Sequence, residues 1–365
     1  MMKEKKYRLF SQFFMVIVIL SSLAFTGCGS KYSITESDEE VTVVEKKEKD
    51  DEKQNEDIFN NSESDMLGSI EHEPMKPNRD QDGNIIPFEY LGGEFSLDYS
   101  VEAEGNAETI GFLVFLNGTP QPYKVIEDST EYEYCHTFRM KDVLDKDFSI
   151  YFTPVEGKKG ETLDLTVVSI YNPSFQPDMK ETSSFGWYHK ILENSYLLEF
   201  YEDAAVVETT EVSQLEVWKD VNIFSEKVTE KFLKDDLSKV GWSDVSLETL
   251  SNNVYWKMEY NGENVYDNFK ITENGMLHIT YKMCGAPGVK YKTTFYVNHK
   301  PISCESVTSF EATLSKGDVW VLDGNVDLSR LEKLNTFYAI SVPMNAQDYD
   351  VNAFVYKSAS ILLYK

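Results

Sequence analysis

The chain has 365 residues, of which 41% are hydrophobic, and its 22 Phe and 22 Tyr supply enough apolar material for one or two packed cores. It holds 62 acidic against 35 basic residues, a formal net charge of -27. That balance excludes nucleic acid and anionic lipid headgroups as partners drawn by charge, and it favours solubility.

The chain opens with a positive segment, Lys3, Lys5, Lys6 and Arg8, followed by an uncharged stretch from Leu9 to Phe25. The unbroken apolar run, Phe13 to Leu20, is too short for a spanning helix and fits the core of an export signal. It ends in Leu23-Ala24-Phe25-Thr26-Gly27-Cys28. This ending resembles the lipobox of bacterial lipoproteins. The resemblance implies a signal peptide over 1–27, cleavage between Gly27 and Cys28, and diacylglycerol on the Cys28 thiol. The membrane would then be a partner through that lipid, with the protein on its outer face. Two acyl chains, at about 0.8 kcal/mol per buried CH₂, hold a protein stably where one does not.

Residues 28–84 read as a lipidated N-terminus and an acidic linker. Residues 31–80 hold 16 acidic and 7 basic side chains, with Tyr32 and Phe59 as the aromatics. Such a stretch buries too little apolar surface to offset chain entropy, so the composition predicts disorder. At its end, Asn78-Arg-Asp80-Gln-Asp82-Gly83-Asn84 leads to Glu89. The window resembles the calcium loop of EF-hand proteins, which implies Asn78, Asp80, Asp82, Asn84 and Glu89 as oxygen ligands for Ca²⁺. The competing reading is an acidic turn through Asp82-Gly83 into the first strand.

After Ile85 the pattern turns to period two. Phe95-Ser-Leu97-Asp-Tyr99, Phe148-Ser-Ile150-Tyr-Phe152, Leu163-Asp-Leu165-Thr-Val167 and Leu277-His-Ile279-Thr-Tyr281 all read as half-buried strands. Turn signals fall at Asn117-Gly118, Gly157 to Gly160, Gly285 to Gly288 and Asp323-Gly324. The two halves also match. Gly93-x-Phe95-x-Leu97-x-Tyr99 lies over Gly275-x-Leu277-x-Ile279-x-Tyr281, and Phe115-Leu-Asn117-Gly over Tyr296-Val-Asn298-His. Further on, Phe138 lies over Phe310, and Val168-Ser-Ile170 over Ile340-Ser-Val342. The expectation is a mostly β chain with two tandem sandwich units, 85–210 and 250–365, similar in size to immunoglobulin-like domains. Between them, over 211–249, Val221, Phe224, Val228 and Phe232 recur at helical spacing. Asp220 is placed to cap and Gly241 to stop a connecting helix.

Chemistry-bearing residues are sparse. Once Cys28 is lipidated, Cys135, Cys284 and Cys304 remain, an odd set in which Cys284 and Cys304 are the closer candidate pair for a bridge. His72, His136, His189, His278 and His299 show no metal-ligand spacing. His136 follows Cys135 on a strand, so the two side chains should point to opposite faces. Trp187 and Tyr188, in an aromatic loop, are candidates for stacking on a sugar or a protein partner. Trp218, Trp242, Trp256 and Trp320 read as core. Three functions compete: a non-catalytic binding or structural module for an envelope protein or glycan, a hydrolase of cell wall or polysaccharide, and the binding lipoprotein of an importer. The last would be rich in helices. The first is favoured, because no nucleophile elbow or phosphate-cradling loop occurs.

Overall fold

The structure, a computed structural model, describes residues 68–125, 129–175, 189–205, 215–238, 241–242, 245–264, 268–271 and 275–365. Among these residues the first half supplies β1 (Ser69–Pro74), β2 (Phe88–Tyr90), β3 (Phe95–Glu104), β4 (Thr109–Leu116), β5 (Thr119–Gln121) and β6 (Tyr123–Val125). It continues with β7 (Ser129–Glu133), β8 (Cys135–Arg139), β9 (Val143–Phe152), β10 (Thr162–Tyr171) and β11 (Ile191–Phe200). The second half supplies β12 (Leu215–Glu216), β13 (Trp218–Lys227), β14 (Val254–Tyr260), β15 (Asn268–Lys270), β16 (Met276–Gly285) and β17 (Lys290–Val297). Then come β18 (Lys300–Ser303), β19 (Ser309–Thr313), β20 (Asp318–Asp327), β21 (Leu334–Pro343), β22 (Tyr356–Lys357) and β23 (Ile361–Tyr364).

These strands build two sandwiches with one plan. In the first, one sheet runs β1-β3-β9-β6-β7 and the other β2-β11-β10-β4-β5, with β8 beside β4. In the second, β14-β16-β20-β13 faces a sheet containing β18-β17-β21-β23-β15. Both reproduce the A-B-E-D and C-F-G arrangement of immunoglobulin-like sandwiches. Even the parallel pairing at the start of each unit recurs, β2 with β11 and β15 with β23. The repeat read from sequence holds to the residue along the central strands. Leu116 pairs with Leu165 and Val297 with Phe337, while Tyr99 pairs with Phe148 and Tyr281 with Leu322. Alternation explains each core. On β3, Phe95, Leu97, Tyr99 and Val101 point inward while Ser96, Asp98 and Glu102 point out.

The two sandwiches are fused through a seam. All eight residues of β4 are buried, so both of its faces are covered. Its outward Leu113 and Phe115, with Val168 and Ile170 of β10, pack on Tyr296, Tyr338, Ile340, Val342 and Val355 of the second unit. Equivalent strands therefore meet through equivalent faces. The hairpin turns at the seam have diverged. Asn117-Gly118 and Asn298-His299 both take positive φ at both positions, 47° and 77° against 49° and 63°. Gly118 must stay small, since a Cβ there would lie 2.9 Å from the Cβ of Lys292. His299, its counterpart, tolerates the strained backbone because its ring is held across the seam, as described below.

Three boundaries move. Ser69 to Pro74, expected in the linker, form β1 and pair with β3 from Ser69↔Glu104 to Pro74↔Tyr99. The connecting helix expected from Asp220 onward is not formed, because the chain is strand up to Lys227. Trp218–Lys227 is β13, which fills the D position of the second sandwich beside β20, and the helical stretch after it is short, with a π turn over Phe232–Asp236. A bulge between Lys219 and Asn222, with Asp220 at φ 53°, breaks the period-two pattern and leaves apolar residues three and four apart. Asp323-Gly324 is no turn but the middle of β20, where the missing side chain makes room for the Trp218 ring, 3.1 Å from where a Cβ would sit.

Candidate binding surface and the buried polar groups

The outer face of the β1-β3-β9 sheet is built of carboxylates. Register places Glu71, Glu102 and Asp145 in one row across three strands, and Glu73, Ser100 and Asp147 in the next. Like charges directly opposite each other cost a few tenths of a kcal/mol per pair, so this face is not optimised for its own stability. Where the chain leaves β1, Met75, Lys76, Pro77 and Arg79 wall one side of these rows and form an open trough of about 440 Å³. Arg79 is fixed there by Nη1, which donates to the Gly83 carbonyl at 2.9 Å, with Nη2 at 3.9 Å from Glu73. The surface is anionic and open, suited to a cationic or hydrogen-bonding partner rather than to sequestering a small substrate.

The loop from Asn78 to Asn84 is a hairpin turn. Asp80 Oδ1 accepts from the backbone N–H of Asp82 at 2.9 Å and of Asn84 at 2.8 Å, and the Asn84 side chain donates to Oδ2 at 3.0 Å. These bonds hold the Asp80 carboxyl below its usual range, the Asn84 side chain contributing most. The Asn78 carbonyl accepts from Ile86 N–H, and Glu89 is carried into β2 opposite Glu199. The Asp80 carboxylate is thus bonded to backbone amides of its own turn, and among the described residues no group of three or more His, Cys, Asp or Glu side chains could hold a metal ion. Trp187, Tyr188 and Cys28 lie outside the described residues.

Among the described residues Cys135, Cys284 and Cys304 are free thiols. Cys284 turns to the outer cluster around Phe232 and Leu237, while Cys304 packs against the inter-sheet core, so the proposed Cys284–Cys304 bridge is not formed. Burial pushes the thiols of Cys284 and Cys135 up to about 12, which keeps both protonated and unreactive. Cys135 and His136 do point apart. Cys135 meets the seam, and His136 Nε2 donates to the Tyr123 carbonyl at 2.7 Å inside the first unit.

Strongly perturbed groups mark catalytic sites when they gather round a cleft. Here they join layers. His72 on β1 donates from Nε2 to the Leu192 carbonyl at 3.2 Å and accepts the Tyr99 hydroxyl at Nδ1, 2.8 Å away, tying the two sheets of the first sandwich. Burial lowers its pKa to about 4. His299 repeats the arrangement across the seam, with Nε2 donating to Pro173 O at 2.9 Å and Nδ1 accepting from Tyr338 at 3.0 Å. It too is lowered to about 4, by burial first. Beside it, burial brings Lys357 down to about 7; its Nζ sits 4.6 Å over the Tyr338 ring and donates to Ser360 Oγ at 2.8 Å. Lys292 crosses the seam at the other end, reaching Glu156 at 3.0 Å and Thr119 at 2.8 Å. Sequence reasoning missed all of these links, since nothing in a single sequence shows which strand faces meet.

No family model and no curated protein matches the chain. Solved structures similar to it include the N-terminal Ig1-2 module of the Drosophila receptor protein tyrosine phosphatase DLAR, at 10% identity over 81% of this chain and 97% of that one, TM-score 0.21. A chimeric titin Z1Z2 tandem matches at 8% identity over 76% and 94%, TM-score 0.17. The collagen adhesin of S. aureus matches at 7% identity over 82% and 92%, TM-score 0.18. The fold assignment rests on the strand order given above.

Proposed function

We propose that the chain is a lipid-anchored, extracytoplasmic, non-catalytic module that binds or braces an envelope protein or glycan. One observation carries the non-catalytic part. His72, His299 and Lys292 have their polar atoms committed to partners in neighbouring layers, which spends them on holding the scaffold. The acidic trough is the contact surface this reading favours, because the facing carboxylates of Glu71, Glu102 and Asp145 bring no internal gain. The anchor rests on the lipobox-like ending at Cys28.

Two measurements test the reading. Growth with radioactive palmitate should label the full chain and leave Cys28→Ala unlabelled; label on the variant removes the anchor. Capture of solubilised envelope material should return a partner that is lost when Glu102 and Asp145 are both changed to Lys. A partner retained by that double variant removes the trough.

A further inference from the structure

The D-position strands of the two sandwiches differ at their outer edges. In the first sandwich β6 is followed across the sheet by β7. In the second, β13 is the last strand of its sheet, and among the described residues nothing pairs with its outer edge. Unpaired edges of this length invite another strand, and proteins ordinarily blunt them with charge. Here the lysines that flank the edge are tied back to β20, Lys219 to Asp327 at 2.7 Å and Lys227 to Asp318. Between them Ile223 is 48% exposed and Phe224 44%.

The ladder with β20 fixes which groups are on offer. Val228 N–H donates to Gly317 O at 3.0 Å, in register with Phe224↔Val321 and Glu226↔Val319. Alternation then turns Phe224 and Glu226 toward β20, and directs the N–H and C=O of Ile223, Ser225 and Lys227 outward.

We propose that this edge pairs with the same edge of a second copy of the chain, antiparallel about a two-fold axis at Phe224. Outward-bonding residues must face outward-bonding residues, which restricts the register. Centred on Ile223, the pairing meets the bulge before Asn222 after three residues. Centred on Ser225, Ile223 faces Lys227 and Phe224 faces Glu226, setting apolar against charged side chains. Centred on Phe224, the two phenyl rings face each other in a closely spaced, non-hydrogen-bonded pair, Asn222 faces Glu226, and Ile223 faces Ser225. No like charges meet in that register. The sheet β14-β16-β20-β13 then runs on into its copy, a closed isologous contact. The inference does not depend on the lipid anchor or on the acidic trough.

Cysteine cross-linking of the full chain tests it. Cα atoms of a non-hydrogen-bonded pair, about 4.5 Å apart, lie within disulfide reach. Under mild oxidation Phe224→Cys should give about tenfold more interchain disulfide than Ser96→Cys, an exposed position on a paired strand. A mixture of Asn222→Cys and Glu226→Cys chains, which keeps Phe224, should cross-link to each other in preference to themselves. Adding Ser225→Pro to any of these removes an outward N–H without touching the β20 ladder. It should abolish the cross-link while leaving the melting temperature unchanged. Cross-linking at Phe224→Cys no greater than at Ser96→Cys, or persisting with Ser225→Pro, overturns the proposal.

Discussion

The two sandwiches share a strand plan but fill one position from different places in the chain. Beside β9 the first unit uses β6, drawn from its own middle; beside β20 the second uses β13, drawn from the segment that precedes its first strand. The first unit is thus closed by local pairing and the second by a long-range one. The part of the connecting segment that forms β13 therefore belongs to the second sandwich. Trp218 shows this most directly, packing edge-on against Phe295 at 4.9 Å in the heart of the second core.

The largest expected effect, that of two histidines taken together, separates the interior of the first unit from the seam. His72 and His299 are both lowered from 6.5 to about 4, so an unfolded chain takes up the proton first. Their stabilisation is complete above pH 6.5 and drains away as pH falls to about 4, by about 3 kcal/mol per ring at most. Urea melts at stepped pH should show this slope, and His72→Gln and His299→Gln should each remove its own share. An unchanged slope in either variant detaches that ring from the account. Next, Trp218→Ala should cost about 4 kcal/mol, with the loss confined to the second unit in hydrogen exchange. Ile340→Ala, in the seam, should cost about 3 kcal/mol and loosen protection on β4 and β10 as well as β21. Exchange that rises on one side alone shows the sandwiches to be independent. Glu156→Gln should cost about 1 kcal/mol by removing the charged partner of Lys292, whose bond to Thr119 remains, with solvent screening at the partly exposed carboxylate keeping the figure small. Lys292→Met should largely cancel that loss, and a double-mutant cycle with zero coupling removes the bridge. The smallest effect is Asp80→Ala, a slight lowering of the melting temperature that Asp80→Asn should avoid, since the amide oxygen still accepts from the turn.

Much of this plan was legible beforehand. Period two in β3, β9 and β16 comes directly from one-sided burial, and Asn117-Gly118 marks its turn because both residues take positive φ. The seam left a signal too. Ile110 to Leu116 is a continuous apolar run, the pattern of a strand covered on both faces, but no rule says what covers it. β13 was illegible for a physical reason: its bulge shifts the alternation, and an edge strand with both faces partly open carries no clean apolar side. In the calcium-like window a string of oxygen ligands and a hydrogen-bonded turn draw on the same residue types. In this chain the Asp80 carboxylate is bonded into the turn.

β13 also sets a schedule. The chain is made from its N-terminus, and Lys219 waits for Asp327, 108 positions further on, before the two can meet. Until that partner is synthesised, Ile223 and Phe224 sit on an unfinished sheet, the most adhesive stage in the life of the molecule. Helpers that shield nascent strands should therefore act on β13 until β20 emerges.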